Sequence, residues 1–185
     1  MNGRILMVGT MAMSLASAAM FAATRIDQEQ VNVDTGITMA LGGSDEQKLA
    51  QVFTANATGS LTHVTVPIMC EPSAVLRVGI ETVRSGSPNG NVLAQEVLSG
   101  ALFPSIVASP GVGFRIVQFP NPAYVSAGGR YAIVLEAFKS TCAVYRGPIG
   151  DTYLGGVAYF DARPNNPGWI PMLPAADLAF QTFVE

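Results

Sequence analysis

Apolar and polar residues alternate along most of this chain with a period of two. In the clearest segment, 74–84, Leu76, Val78 and Ile80 alternate with residues of other types. Successive side chains of a β-strand point to opposite faces of its sheet, so the alternation predicts a strand with one apolar face. No long segment with helical spacing follows the N-terminal region. The pattern therefore predicts an all-β protein.

Short runs rich in β-branched and aromatic residues recur between turns of Gly, Pro, Asn and Ser, which is typical of a β-sandwich or barrel. The predicted strands are 30–34, 49–54, 61–69, 74–84, 92–98, 114–119, 130–138, 141–146, 156–161 and 178–184. Segment 130–138 is apolar at both parities, which predicts a central strand covered on both faces. Segments 85–90, 120–122 and 127–129 hold turn residues and are predicted to connect strands.

Length and composition limit the class of protein. A chain of 185 residues suits one domain. Only 12% of its residues are charged, against about 25% in soluble domains, yet 49% are hydrophobic, which argues against disorder. The net charge of -3 argues against a nucleic-acid partner. We expect residues 26–185 to form a single two-sheet antiparallel β-sandwich of jelly-roll type.

Residues 1–22 have the pattern of a secretory signal peptide. Arg4 supplies positive charge, and residues 5–23 contain no charged side chain. Small residues at 16–18 and 17–19 offer two cleavage sites. A retained membrane anchor is the alternative, because about 20 apolar residues span a bilayer, but the segment is poor in Leu. We predict export to the cell surface, periplasm or extracellular medium, with a membrane as partner only if the segment is retained.

Cys70 and Cys142 are the only cysteines. An even number in an exported chain predicts one disulfide, and two free buried thiols are the alternative. Thiol chemistry is not expected, because a nucleophilic cysteine usually needs a histidine base. The only histidine, His63, falls on the polar, solvent-facing side of a predicted strand.

Six segments carry a resemblance to a known family. They are 49–54 (LAQVFT), 59–64 (GSLTHV), 86–94 (GSPNGNVLA), 125–135 (VSAGGRYAIVL), 155–159 (GGVAY) and 177–183 (DLAFQTF). Their order and spacing over residues 48–184 resemble the choice-of-anchor R type domain, a β-sandwich of bacterial exported proteins similar to jelly-roll carbohydrate-binding modules. The resemblance implies a β-sandwich on the cell exterior and supplies no catalytic motif.

No enzyme is predicted. The chain has no GxSxG motif, and it cannot supply the several local His or Cys ligands of a zinc site. Asp151, Asp161 and Asp177 leave a carboxylate pair of the glycosidase kind open, although each lies at a turn or strand edge, where Asp favours local hydrogen bonds. We expect no cofactor, with a structural calcium ion bound by such acids left open.

Aromatic residues cluster in the C-terminal third, among polar residues. The predicted ligand-binding residues are Tyr153, Asp161, Arg163, Asn165 and Trp169. We expect them around one shallow depression formed by loops between 147 and 168, since a binding site combines an apolar surface with a few polar groups. Packing of these aromatics in the core and a protein interface are the alternatives.

The predicted function is a non-enzymatic, exported module for recognition or adhesion that binds glycan or cell-envelope material. The alternative is a structural subunit of an extracellular assembly, such as a matrix, filament, sheath or virion surface, whose partners are copies of itself. A surface with few charges favours lateral packing, and one fold serves both functions.

Overall fold

A computed structural model of the protein describes residues 23–106, 113–162, 166–172 and 176–185. The predictions for the signal segment 1–22, for Arg163 and for Asn165 lie outside these ranges. The strands are β1 (Arg25–Gln30), β2 (Thr38–Gly42), β3 (Lys48–Thr54), β4 (Gly59–Val66), β5 (Ile68–Cys70), β6 (Val75–Arg84), β7 (Ser87–Ser99), β8 (Arg115–Val125), β9 (Arg130–Phe138), β10 (Thr141–Ile149), β11 (Ala158–Ala162), β12 (Asn166–Pro171), β13 (Ala176–Leu178) and β14 (Phe180–Val184). Single 3-10 turns lie at Gly43–Asp45 and Gly100–Leu102. None of the described helices is long and apolar enough to cross a membrane.

The strands form three antiparallel sheets, in the orders β1-β14-β4-β8, β13-β10-β2 and β12-β11-β3-β9-β6-β7, with β5 also pairing with β10. One core contains residues from all three, among them Leu61, Leu41 and Leu135. The predicted antiparallel β-sandwich is confirmed. Hydrogen bonding gives three sheets rather than two, because β4 ends before Pro67, which lacks an N–H, and the next strand pairs with β10.

Strand alternation places the predicted residues in the core. Leu76, Val78 and Ile80 are 0% exposed, and Ile133 and Leu135 are 1% and 0% exposed. Strand β9 lies between β3 and β6, as expected for a segment that is apolar at both parities. The predicted burial of these five side chains is confirmed.

The segment 85–90, predicted as one loop, is mostly strand. Only Ser85 and Gly86 turn the chain, with φ of 54° and 95°, while Pro88 already pairs with Val83. Positive φ at both central residues suits a two-residue hairpin turn, whose twist matches that of the flanking strands. The hairpin therefore continues into residues with turn-like composition.

Other boundaries also differ from the predictions. Segment 120–122 lies inside β8, an edge strand, where the missing N–H groups of Pro120 and Pro122 need not break the ladder. The predicted strand 30–34 is wrong beyond Gln30, where β1 ends. Strand β2 was not predicted, because its five residues are too few to show a clear alternation of apolar and polar side chains.

The two cysteines form a disulfide. Cys70 in β5 and Cys142 in β10 are direct cross-strand partners, with Cα atoms 4.0 Å apart. Both are 0% exposed. The predicted pairing is confirmed, and it closes a loop across 72 positions of sequence.

Candidate functional site

A row of charged side chains crosses the six-stranded sheet on the face opposite the core. Asp161 of β11 pairs with Lys48 of β3, which pairs with Glu136 of β9, which pairs with Arg77 of β6. Neighbouring strands lie about 4.8 Å apart, so charges of alternating sign follow one another across roughly 15 Å.

Glu136 fixes the two cations of this row. Its side chain is 7% exposed and accepts from Lys48 Nζ at 2.5 Å, and it also pairs with the Arg77 guanidinium. That guanidinium lies 5.3 Å from the centre of the Phe138 ring, within the range of a cation–π contact. A buried carboxylate with two charged partners holds them in defined positions on an otherwise open sheet face.

A shallow depression lies beside the charged row. It has a volume of about 310 Å³, with Trp169 and Asp161 on the side of β11 and β12, and Glu81 and Asn89 on the side of β6 and β7. A second depression of about 300 Å³ shares Glu81 and continues to Gln95 of β7. The two depressions overlap and together form a groove that is lined by residues of all six strands.

Trp169 is the aromatic wall of this groove. It is half-buried on β12 and packs on a small apolar cluster that includes Ala50, Ala132 and Val134. Ala50 and Ala132 are fully buried, while Val134 lines the depression together with Trp169. The sequence predicts Trp169 in a loop; it lies on a strand because β12 pairs with β11 through Phe160 and Ile170.

Asp161 holds the backbone next to Trp169 in place. The residue is 0% exposed, and its Oδ1 accepts from Gly168 N at 3.0 Å. Gly168 has a φ of 109° and directly precedes Trp169. Asp161 therefore fixes the backbone that presents the indole. The two predicted residues lie together, but the predicted role of Asp161 as a ligand contact is wrong, because the residue is fully buried and bonded to the backbone.

Tyr153, in contrast, belongs to the core. It is 8% exposed, its ring meets that of Phe180 edge-on at 5.0 Å, and its hydroxyl donates to Gln28 Oε1 at 2.7 Å. Burial raises the pKa of Tyr153 to about 12. The predicted exposure of Tyr153 is wrong, because Asp177 accepts from the Tyr153 N–H at 2.9 Å and ties this Gly-rich segment to β13.

Hydrogen-bond donors of the core surround Asp177, one of the acidic residues of the C-terminal third. Asp177 also accepts from Thr152 N at 3.0 Å and from Gln51 Nε2 at 3.2 Å. Burial raises the pKa of Asp177, and the bonds from Gln51, Tyr153 and Thr152 oppose that rise. Across the described ranges, no three His, Cys, Asp or Glu side chains are grouped to hold a metal ion. The calcium hypothesis and the carboxylate-pair hypothesis gain no support from these contacts.

Three members of the charged row, Lys48, Arg77 and Glu136, are missing from the predicted site. The signal that would find them is a charge at an outward position of a strongly apolar strand. Arg77 faces out from 74–84 and Glu136 from 130–138. Which charges stand side by side depends on the register between strands that are distant in sequence, and the pattern of one strand does not contain that register.

His63 lies in a separate cavity of about 810 Å³ that also contacts Glu185, Glu96 and Ile116. Its ring stacks on that of Phe183 with centroids 4.1 Å apart and an angle of 14°. The side chain is half-buried rather than solvent-facing, because β14 brings Phe183 directly opposite it. Burial lowers the pKa of His63, and Glu185 opposes this effect.

This lowered pKa predicts a loss of stability in acid. The unfolded chain binds a proton near the ordinary His pKa of 6.5, while the folded chain binds it only at lower pH. The contribution of His63 is therefore present above pH 6.5 and is lost as the pH falls through the folded pKa. We expect urea unfolding to give a smaller acid loss for His63→Phe, which keeps a ring on Phe183. Equal pH dependence of variant and wild type would contradict the expectation.

Comparison with solved structures finds similar folds. The chain matches the crystal structure of the cysteine protease and lectin-like domains of a surface layer associated protein of Clostridium difficile, with a TM-score of 0.55 and 14% sequence identity. The match covers 88% of this chain and 36% of that one. At this identity the likeness shows the fold alone. No family model matches the chain, and no curated protein sequence matches it.

Proposed function

We propose that this protein is an exported, non-enzymatic recognition module that binds glycan in the groove of the six-stranded sheet. The observation that carries the proposal is the half-buried Trp169 beside a row of fixed charges. A sugar ring presents an apolar C–H face and a rim of hydroxyl groups. An indole provides the matching apolar surface, and the less buried polar groups of the groove, among them Arg77, Glu81 and Asn89, donate to and accept from the hydroxyls.

Preorganisation supports the same proposal. Binding costs free energy for every side chain that must be ordered, and this cost is small where the side chains are already held. Glu136 holds Lys48, and Asp161 holds the backbone before Trp169. The groove crosses six strands, which suits a chain of several linked sugar units.

Two further observations favour a function outside the cell. The Cys70–Cys142 disulfide is typical of proteins that fold in an oxidising compartment. The region matched in the similar crystal structure is the lectin-like domain of a surface layer associated protein. We infer export to the cell surface or beyond, with cell-envelope carbohydrate as the class of partner.

A structural subunit of an extracellular assembly is the second candidate. Several large apolar side chains are exposed, among them Leu154 at 91%, Ile149 at 69% and Tyr124 at 68%. These three side chains favour lateral contacts between copies, and they lie outside the groove. Sedimentation of the protein without glycan distinguishes the candidates, because a subunit assembles alone and a binding module does not.

Trp169→Ala tests the glycan proposal. We expect it to weaken binding on a glycan array and in titration calorimetry by about tenfold or more, equivalent to about 1.4 kcal/mol, since buried aromatic contacts dominate binding energy. Tyr124→Ala is the matched control, because Tyr124 is an exposed aromatic on β8, outside the groove. Thermal unfolding of each variant checks that the fold is retained.

The proposal fails if folded Trp169→Ala binds the same glycans as tightly as wild type. It also fails if wild type binds no glycan and instead assembles in sedimentation, in which case the structural-subunit candidate replaces it.

A further inference from the structure

The Asn89–Gly90 pair lies where β7 leaves the hairpin turn, against the end of β6. Three polar contacts converge on it, and a fourth positions one of the donors. Gly90 N donates to Glu81 Oε2 at 2.8 Å. The side-chain carbonyl Oδ1 of Asn89 accepts from Thr82 Oγ1 at 2.8 Å and from Asn91 N at 3.0 Å. Asn91 Nδ2 donates in turn to Thr82 Oγ1 at 3.3 Å.

These contacts match the needs of an acyl substitution at the Asn89 carboxamide. The bond from Asn91 N to Asn89 Oδ1 closes a turn around Gly90, so the Asn89 carboxamide is held beside the backbone that contains the Gly90 nitrogen. Glu81 is within hydrogen-bond reach of the proton on that nitrogen, as a general base must be. Two donors already point at the oxygen on which negative charge develops.

We propose that Asn89–Gly90 is a self-modification site, at which Asn89 loses ammonia through a cyclic imide and becomes aspartate or isoaspartate. Neither the glycan proposal nor any bound group is needed for this reaction. Water is its only co-reactant, and no electron transfer occurs.

The reaction begins with attack of the Gly90 nitrogen on the Asn89 side chain. The Gly90 nitrogen forms a bond to Cγ of Asn89 while Glu81 takes the nitrogen's proton, and Oδ1 becomes an oxyanion held by Thr82 and Asn91. The bond from Cγ to Nδ2 then breaks, and the nitrogen leaves as ammonia with the proton from Glu81. Water opens the imide at either carbonyl, which gives aspartate or isoaspartate at position 89.

Gly90 permits this chemistry. Its φ is 79°, and the space that a Cβ would fill contains no atom within 4 Å. The nitrogen is therefore not shielded by its own side chain. Asn89 and Gly90 are both exposed, so water can enter and ammonia can leave.

The product changes the groove. Asn89, Gly90 and Glu81 line the same depression as Trp169. Aspartate at position 89 adds a negative charge near the Glu81 carboxylate, and isoaspartate inserts a backbone methylene into β7. The site thus alters one side of the groove as the protein ages.

The experiment follows the full, disulfide-bonded chain at neutral pH by peptide mapping and mass spectrometry in ¹⁸O-labelled water. One sample is native and the other is unfolded in guanidinium chloride. We expect Asn89 to lose ammonia faster in the native sample, with one labelled oxygen in the product. If native Asn89 stays intact while unfolded Asn89 reacts, the proposal is overturned.

Variants test the roles of the contacts. A positioned base contributes roughly 10²–10⁴-fold in an enzyme site and less at an exposed one, so we expect Glu81→Gln to slow the native reaction roughly tenfold or more. Thr82→Val should slow it to a smaller extent. Glu96→Gln is the matched control, since Glu96 lies on β7 but lines the cavity of His63. Equal native rates for Glu81→Gln and wild type would overturn the assignment of Glu81 as base.

Discussion

Replacement of both Cys70 and Cys142 with alanine is expected to lower the free energy of unfolding by about 4 kcal/mol. The disulfide spans 72 positions, and a loop of that length restricts the unfolded chain strongly in the chain-entropy account. In the folded protein it joins β5 to β10 at direct cross-strand partners. Strand β5 has only three residues and pairs with β10, so its own ladder is short.

Urea unfolding of the oxidised wild type, the reduced wild type and the double variant measures this effect. The reduced wild type should unfold near the midpoint of the double variant, and reductant should leave the double variant unchanged. A loss below about 1 kcal/mol would show that the core alone orders β5 and β10.

Asp177→Ala is expected to lower the free energy of unfolding by about 3 kcal/mol, because it leaves buried donors without acceptors. The carboxylate accepts from Tyr153 N, Thr152 N and Gln51 Nε2. Tyr153 and Gln51 are buried, so water cannot readily replace the carboxylate there. Burial raises the pKa of Asp177, so the ionised carboxylate is itself unfavourable in the core. The loss of stability in Asp177→Ala comes instead from the buried donors, which are left without an acceptor.

Asp151→Ala is the matched control, since Asp151 is an exposed acid of the same segment. Chemical unfolding should show a change within about 0.5 kcal/mol for Asp151→Ala, as is usual for surface positions. Amide exchange should show faster opening at Tyr153 in Asp177→Ala. Equal stability of the two variants would mean that segment 151–153 is held by other contacts.

The core could be predicted from sequence because strand alternation is a local property. Leu76, Val78 and Ile80 share a parity, and burial on one face follows from the pleat of a single strand. The disulfide could be predicted because only one pairing exists for two cysteines. Turn residues misled the prediction where strand pairing overrode composition, as at Pro88 and at Pro120.

The candidate site could be predicted only in part. Trp169 and Asp161 are close in sequence and lie on paired neighbouring strands, so their meeting follows from local structure. Tyr153 is equally near, yet it turns into the core because Asp177 and Gln28 bind it. Residues 28 and 177 are distant from it in sequence, and no local pattern encodes those contacts.

The sequence by itself determined the all-β class, the apolar face of each main strand and the pairing of Cys70 with Cys142. The class and the apolar faces follow from the side-chain period of two, and the pairing follows from the presence of only two cysteines. Only the tertiary structure decided that Lys48, Glu136 and Arg77 stand in one row beside Trp169. The physical reason is that strand order and register are chosen by the packing of the whole sandwich, which pairs residues as distant in sequence as Arg25 and Val184.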